Sequence, residues 1–161
     1  MGVNVSYIAN VIKDGLVGFT GEEVFPSDFL DIKISDINPT ASDKFGMSLS
    51  MDETTVVVGC PYYAKDINGT SIPLNSGAVF VFKRNNDTWE YSQTLYSTTP
   101  TANEMFGWSV SVNDGVIVIG TKSSATSKNV YIYEYVQEQF NNTKVISGNN
   151  SFGQSVFTTS N

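Results

Sequence analysis

The side chains best equipped for chemistry are carboxylates, in the pairs Glu22-Glu23 and Asp52-Glu53 and the run Asp66-Ile67-Asn68-Gly69. Paired carboxylates do acid-base work when they flank one substrate and their environments split their pKa values. Neighbours on a strand point to opposite faces, so neither adjacent pair converges on a common point. In a turn the same residues are solvated. Asp66 and Asn68 can offer oxygens to a cation or ligand, and the same oxygens support a turn by bonding their own backbone. The chain has no histidine, which removes Ser-His-Asp and Cys-His catalysis, His-ligated zinc and histidine pH switching. It has no phosphate-binding glycine loop. Cys60 is the only cysteine, so no intrachain disulfide can form, and its place at the end of an apolar run reads as a buried, inert thiol. No enzyme activity, metal or cofactor is expected.

Aromatic residues are the second source of chemistry. Phe80, Phe82, Tyr131 and Tyr133 lie inside apolar runs and read as packing residues. Tyr62-Tyr63 follows Pro61 in a predicted loop and reads as an exposed pair. With Asp66 and Asn68 it forms the candidate contact for a ligand or partner. Asn-x-Ser/Thr sequons occur at Asn4, Asn68, Asn86, Asn141 and Asn149, as chance supplies in an Asn- and Thr-rich chain.

The elements that carry these residues repeat. Phe45-Gly46-Met47-Ser48-Leu49-Ser50 returns as Phe106-Gly107-Trp108-Ser109-Val110-Ser111 and again from Phe152-Gly153. Fourteen residues after Phe45 comes Gly59, and fourteen after Phe106 comes Gly120. Each closes a run of branched residues, Val56-Val57-Val58 and Val116-Ile117-Val118-Ile119. A third run, Gly77-Ala78-Val79-Phe80-Val81-Phe82, is echoed by Asn129-Val130-Tyr131-Ile132-Tyr133, and a fourth opens at Trp89 and Phe140. Each unit thus reads as four short strands. Continuous apolar runs in the middle strands imply cover on both faces. A four-stranded sheet covered on both faces and repeated along the chain predicts an all-β architecture of propeller blades. An ordinary antiparallel sandwich is the alternative, but it would want one wet face per strand.

At these positions the chain resembles the FG-GAP repeat family, which includes the integrin alpha-chain propeller. The resemblance covers about residues 28–157 and rests on Phe45-Gly46, Phe106-Gly107, Val58-Gly59-Cys60-Pro61 in place of Gly-Ala-Pro, and Gly77–Phe82. It weakens at Gly120-Thr121-Lys122, where the Ala-Pro is missing. It implies antiparallel propeller blades in which Phe45, Gly46, Gly59, Pro61, Phe106, Gly107, Gly120, Phe152 and Gly153 are structural. Calcium-binding members carry an Asp-rich loop between the first two strands. Here Met51-Asp52-Glu53-Thr54 and Asn113-Asp114-Gly115 are too short and too poor in oxygen ligands, so the resemblance is to the calcium-free variety.

Residues 28–161 are expected to hold one outer strand from Asp28 to Ile34, two complete blades, and one inner strand over 152–157. Residues 1–27 read as an arm or a degenerate partial blade. Met1-Gly2-Val3-Asn4-Val5-Ser6 fits the loose myristoylation pattern, a coincidence expected of any Met-Gly start. No Lys- or Arg-led apolar stretch reads as a signal peptide, and no run reaches membrane-spanning length. The net charge of −7 with scattered cations argues against nucleic-acid partners. Eight lysines stand against one arginine, Arg84, and asparagine is abundant, the bias of an A/T-rich genome such as that of many large viruses.

Two functions follow. One is a structural or assembly protein, a virion component being the favoured case, whose open blade edges are completed by other subunits, by further blades or by copies of itself. The other is a surface adhesion module that binds a glycan or protein through its loops. Virion or cell surface is the expected location. With no Asp-rich cage in the loops, the melting temperature is expected to be the same in calcium and in chelator. A clear rise on adding calcium would show a site, because a ligand of the folded state must stabilise it.

Overall fold

The structure is a computed structural model that describes residues 42–65, 71–86, 88–123 and 127–159. The predicted arm over 1–27, the outer strand over 28–34, and Asp66 and Asn68 lie outside the described residues. All regular structure among the described residues is strand. The first sheet is β1 (Ser48–Met51), β2 (Thr55–Cys60), β3 (Ala78–Asn85) and β4 (Thr88–Leu95). The second is β5 (Ser109–Asn113), β6 (Val116–Gly120), β7 (Ser127–Val136) and β8 (Gln139–Asn149). Each is a four-stranded antiparallel meander in sequence order.

Local chemistry sets the turns. Asp114 and Gly115 both have positive φ, 46° and 74°, the two-residue hairpin turn whose twist matches its flanking strands. Gln137 and Glu138 adopt the same conformation at 52° and 63°. Between β1 and β2, Asp52 Oδ1 accepts from the backbone N–H of Thr54 at 2.9 Å and of Thr55 at 2.8 Å. That carboxylate is therefore a turn cap. Both outer hairpins carry a register shift at matching places, Val81/Phe82 and Ile132/Tyr133, so the repeat extends to its irregularities.

The Phe-Gly pairs stand in the turn just ahead of the first strand, not within it. Lys44 O accepts from Met47 N, Met105 O from Trp108 N, and Ser151 O from Gln154 N, at 3.1, 3.2 and 3.2 Å. Gly46, Gly107 and Gly153 occupy the third position of these turns with φ of 86°, 86° and 75°. A positive φ there is what a type II turn requires and what glycine supplies without steric cost.

Strand alternation sends β2 and β3 side chains to two faces. Val57, Val79, Val81 and Leu95 of the first sheet meet Val110, Val112, Ile117, Ile119, Tyr131, Tyr133 and Phe140 of the second, and Phe106 from the turn before β5, in one buried cluster. Val56, Val58, Cys60, Tyr63, Ala78, Phe80 and Phe82 form a separate buried cluster on the opposite face of the first sheet, with Phe45 and Trp89 against it. Every residue of β2 is buried, as its unbroken apolar run predicts. On β6 the residues facing away from the first sheet, Val116 and Val118, are only half-buried.

The inner strands approach most closely at glycine. A Cβ added to Gly59 would land against Ser48 Oγ and the carbonyl oxygen of Gly107, and one added to Gly120 against Ser109 Oγ and the carbonyl oxygen of Gly153. Backbone cannot yield as a flexible side chain can. Gly59→Ala is therefore expected to lose about 3 kcal/mol or more, at or beyond the upper end for overpacked interiors. Chemical denaturation checks this. Gly115→Asn is the comparison: its Cβ meets only a side-chain atom at 3.5 Å and asparagine tolerates the positive φ of 74°, so it should cost less.

Candidate functional site

The feature with the most built-in chemistry is the seam between the two sheets. At its inner edge Ser48 Oγ donates to the carbonyl oxygen of Gly107 at 2.8 Å, and Ser50 Oγ accepts from Val112 N–H at 3.0 Å. Two serines on one face of β1 thus fix β5 in register. At the outer edge the Gln93 amide grips one residue of β8 twice: Nε2 donates to Phe140 O and Oε1 accepts from Phe140 N–H, both at 2.9 Å. Lys83 reaches across from β3, with Nζ 4.5 Å from the centre of the Tyr135 ring and 3.0 Å from Thr55 Oγ1.

A buried polar knot closes the seam where the chain passes from β4 to β5. Tyr131 Oη donates to Glu104 Oε1 at 2.7 Å and shares a hydrogen bond with Ser97 Oγ at 2.9 Å. Asn129 Nδ2 donates to the same phenol oxygen at 3.2 Å. Tyr133 Oη donates to Tyr96 O at 2.6 Å. Burial, opposed in part by Ser97 and reinforced by Glu104, raises the Tyr131 phenol above the usual tyrosine range. Burial also pushes Tyr133 well upward, with smaller contributions from Tyr131 and Glu104. Both rings pack edge-on to Phe106, at 5.1 and 6.3 Å between centroids. The knot holds protons and has no open face for a substrate.

The inner-edge grammar recurs beyond the second sheet. Ser109 Oγ donates to Gly153 O at 2.8 Å, and Ser111 Oγ accepts from Thr158 N–H at 3.0 Å. These bonds repeat the Ser48–Gly107 and Ser50–Val112 pair residue for residue. Residues 154–158 therefore lie along the second sheet as β5 lies along the first. They sit in no ladder among the described residues. Val118, Ile132 and Ile146 on the same outer face are partly open to solvent, Ile146 at 38 %. This outer face, with residues 154–158 laid along the inner edge of the second sheet, is the candidate docking site.

The candidate contact residues named from sequence fall elsewhere. Tyr63 is not exposed: it is buried and packs edge-on against Phe80, 5.3 Å and 90° between rings. An aromatic after a proline finds more contact area on the sheet than in water, which is why the loop folds it inward. Tyr62 is half-buried, with its N–H donating to Asp43 O at 3.3 Å. Pro61 is buried beside it. Phe106 is fully buried, while Phe45 and Phe152 are half-buried. The serine clamps and Gln93 were not anticipated from sequence. The signal for the serines was the shared Phe-Gly-x-Ser-x-Ser, in which both recur with the glycine. Among the described residues no group of three or more Cys, Asp and Glu side chains converges as a metal site would need, and no helix is long and apolar enough to cross a membrane.

The knot gives the seam a pH dependence. Tyrosine phenols raised in the folded state hold protons that the unfolded chain releases near pH 10, the ordinary tyrosine value. The stability they carry is complete below pH 10 and is lost as pH climbs from there toward their folded values. Melting temperature should hold to about pH 9 and fall above pH 10. Tyr131→Phe should cost about 1–3 kcal/mol at neutral pH by leaving Glu104 and Ser97 short of a buried partner, and should flatten the alkaline fall.

No curated protein matches the chain. Residues 31–82 match the family model of the FG-GAP repeat, and the turn at Phe45-Gly46, the close approach at Gly59 and the strand entered at Gly77 are the parts of that FG-GAP repeat which the seam uses.

Proposed function

We infer that the chain is a non-enzymatic interaction module built of propeller-type blades, and that it works by docking sheet against sheet. One observation carries this reading: residues 153–158 are pinned to the second sheet by the same Ser–Gly and Ser–backbone bonds that pin β5 to the first. An extended segment held in place beside a partly open apolar face is a site prepared for strands. The FG-GAP repeat fits a propeller-like interaction role. The finer reading is a structural or assembly component that other subunits complete. The Lys- and Asn-rich composition favours a virus particle as the setting. Adhesion through the Tyr62-Tyr63 loop draws less support, since Tyr63 is packed inside.

Light scattering and hydrophobic-dye binding of the purified chain test the reading. The expected result is self-association or dye binding. Ile132→Lys, on the outer face, should abolish it and leave the cooperative melt of the two sheets in place. A monodisperse chain that binds no dye, unaffected by Ile132→Lys, would overturn the proposal.

A further inference from the structure

The two ends of the sheets carry opposite charge. Strands β1 and β5 run side by side in the same direction, since Ser48 meets Gly107 and Ser50 meets Val112. Each sheet is a meander in sequence order, so the four tight turns, β1–β2, β3–β4, β5–β6 and β7–β8, lie at one end of the molecule. The Phe-Gly turns, the loops after β2 and β6 and the link from β4 to β5 lie at the other. Among the described residues the Phe-Gly end holds Lys44, Lys65, Lys122 and Lys128 and no exposed carboxylate. Its two acids, Asp43 and Glu104, are buried, and even with them counted the lysines are in excess. The tight-turn end holds Glu53, Glu90, Asp114, Glu134 and Glu138, all exposed, with half-buried Asp52, against Lys83 and Arg84 alone. Register fixes these places: Lys83 stands opposite Thr55 and Glu134 opposite Val116, beside the tight turns, whereas Lys128 stands opposite Gly148 near the far end of β8.

Both ends also offer contact area. Met47 and Leu74 are exposed at the lysine end, Met51 and Val136 at the acidic end. Two of the lysines are held in place: Lys122 Nζ lies 3.7 Å from the centre of the Trp108 ring, and Lys128 Nζ donates to Asn150 O. A side chain already fixed loses less freedom when a partner arrives. The whole chain carries a net charge of −7, so two copies repel in most orientations. Two acidic ends brought together repel most, and two lysine ends repel as well. The approach that turns the field attractive sets the lysine end of one copy against the acidic end of another. Complementary charge of this kind selects orientation and speeds encounter more than it adds affinity.

We propose that copies of this chain associate head to tail, with the lysine end of one seated on the acidic end of the next. The contact runs through turns and loops at the ends of the strands, not through the faces of the sheets, so it is independent of the docking reading above. Its two surfaces differ, so each new copy leaves one end of either kind free, and the association is open instead of stopping at a dimer. Ionic strength separates the two contacts: screening weakens the charged ends and leaves the apolar outer face unaffected, so outer-face docking is read in high salt and end-to-end association in low salt.

Sedimentation velocity of the full chain tests this, with Ile132→Lys present throughout to remove outer-face docking. The expected result is association that grows past the dimer with protein concentration in about 10 mM salt, where the screening length is about 30 Å, and that weakens about tenfold or more in about 1 M salt, where it is about 3 Å. Lys44→Glu with Lys122→Glu makes both ends acidic. Glu53→Lys with Glu134→Lys and Glu138→Lys makes both ends basic. Either reversed chain alone should stay monomeric, and an equal mixture of the two should associate again, which loss of folding would not produce. The salt titration needs no substitution at either end, so it decides even where a reversed chain loses its cooperative melt. Association that ignores salt, that persists in either reversed chain, or that fails to return when two folded reversed chains are mixed overturns the proposal. So does a chain that stays monomeric in about 10 mM salt while binding added polyglutamate, since the lysine end then serves an acidic partner of another kind.

Discussion

Everything in this fold depends on how closely two inner strands can approach. Gly59 lies against the carbonyl of Gly107, and Gly120 against that of Gly153, with no room for a Cβ. The Phe-Gly turn delivers the second glycine of each contact, because only a positive φ there swings the chain onto the neighbouring sheet. One glycine opens the space and the other fills it with backbone. The serines then register the contact, since Ser48 and Ser109 each reach the carbonyl oxygen that the missing side chains expose. A larger residue at either glycine would hold the sheets apart and break the serine bond as well, so the two requirements are one.

Energy and specificity come from different parts of the seam. The buried cluster holds twelve residues, eleven of them β-branched or aromatic and the twelfth Leu95. Each such side chain contributes about 1.5–3 kcal/mol in transfer terms. The four clamp bonds, two from serine and two from Gln93, contribute about 0.5–1.5 kcal/mol apiece net of water. Apolar burial therefore decides that the sheets adhere, and the clamps decide in which register. The Tyr131–Glu104–Ser97 knot belongs with the clamps. Its net contribution is modest when complete, and its cost is large when one member is removed, because the others stay buried.

The strands were legible in the sequence because their cause is local. Val56-Val57-Val58 and Val79-Phe80-Val81-Phe82 have no polar residue to face water, and the structure covers both sides of them. The repeat spacing placed the turns and located the insertion between the second and third strands. Tyr63 was misplaced because exposure of a loop residue is a tertiary property: only the position of Phe80, reached through a different strand, shows where that ring can go. Gln93 was invisible for the same reason. Nothing in Tyr91-Ser92-Gln93-Thr94 marks a side chain whose partner is 47 residues away. The serine clamps were half legible, since their recurrence was on the page and their geometry was not.

The repeats are alike where backbones meet and unlike where side chains meet, and the difference bears on function. Backbone contacts use glycine and serine, which carry no preference among neighbours, so any repeat could follow any other. Charges at the outer edges do carry a preference: Lys83 in the first sheet has become Glu134 in the second. Residues 152–157, expected to form an inner strand, instead run as turn and irregular backbone, and they add a further departure, for Phe157 stands where Ser50 and Ser111 make their clamps and is 82 % exposed. A phenyl ring cannot accept the backbone N–H that those serines accept. The segment over 154–158 is thus equipped to be held by the second sheet but not to hold a following sheet in the same way. Direction is built into the array: each unit receives the next through a common backbone device, and the side chains around that device differ from one unit to the next.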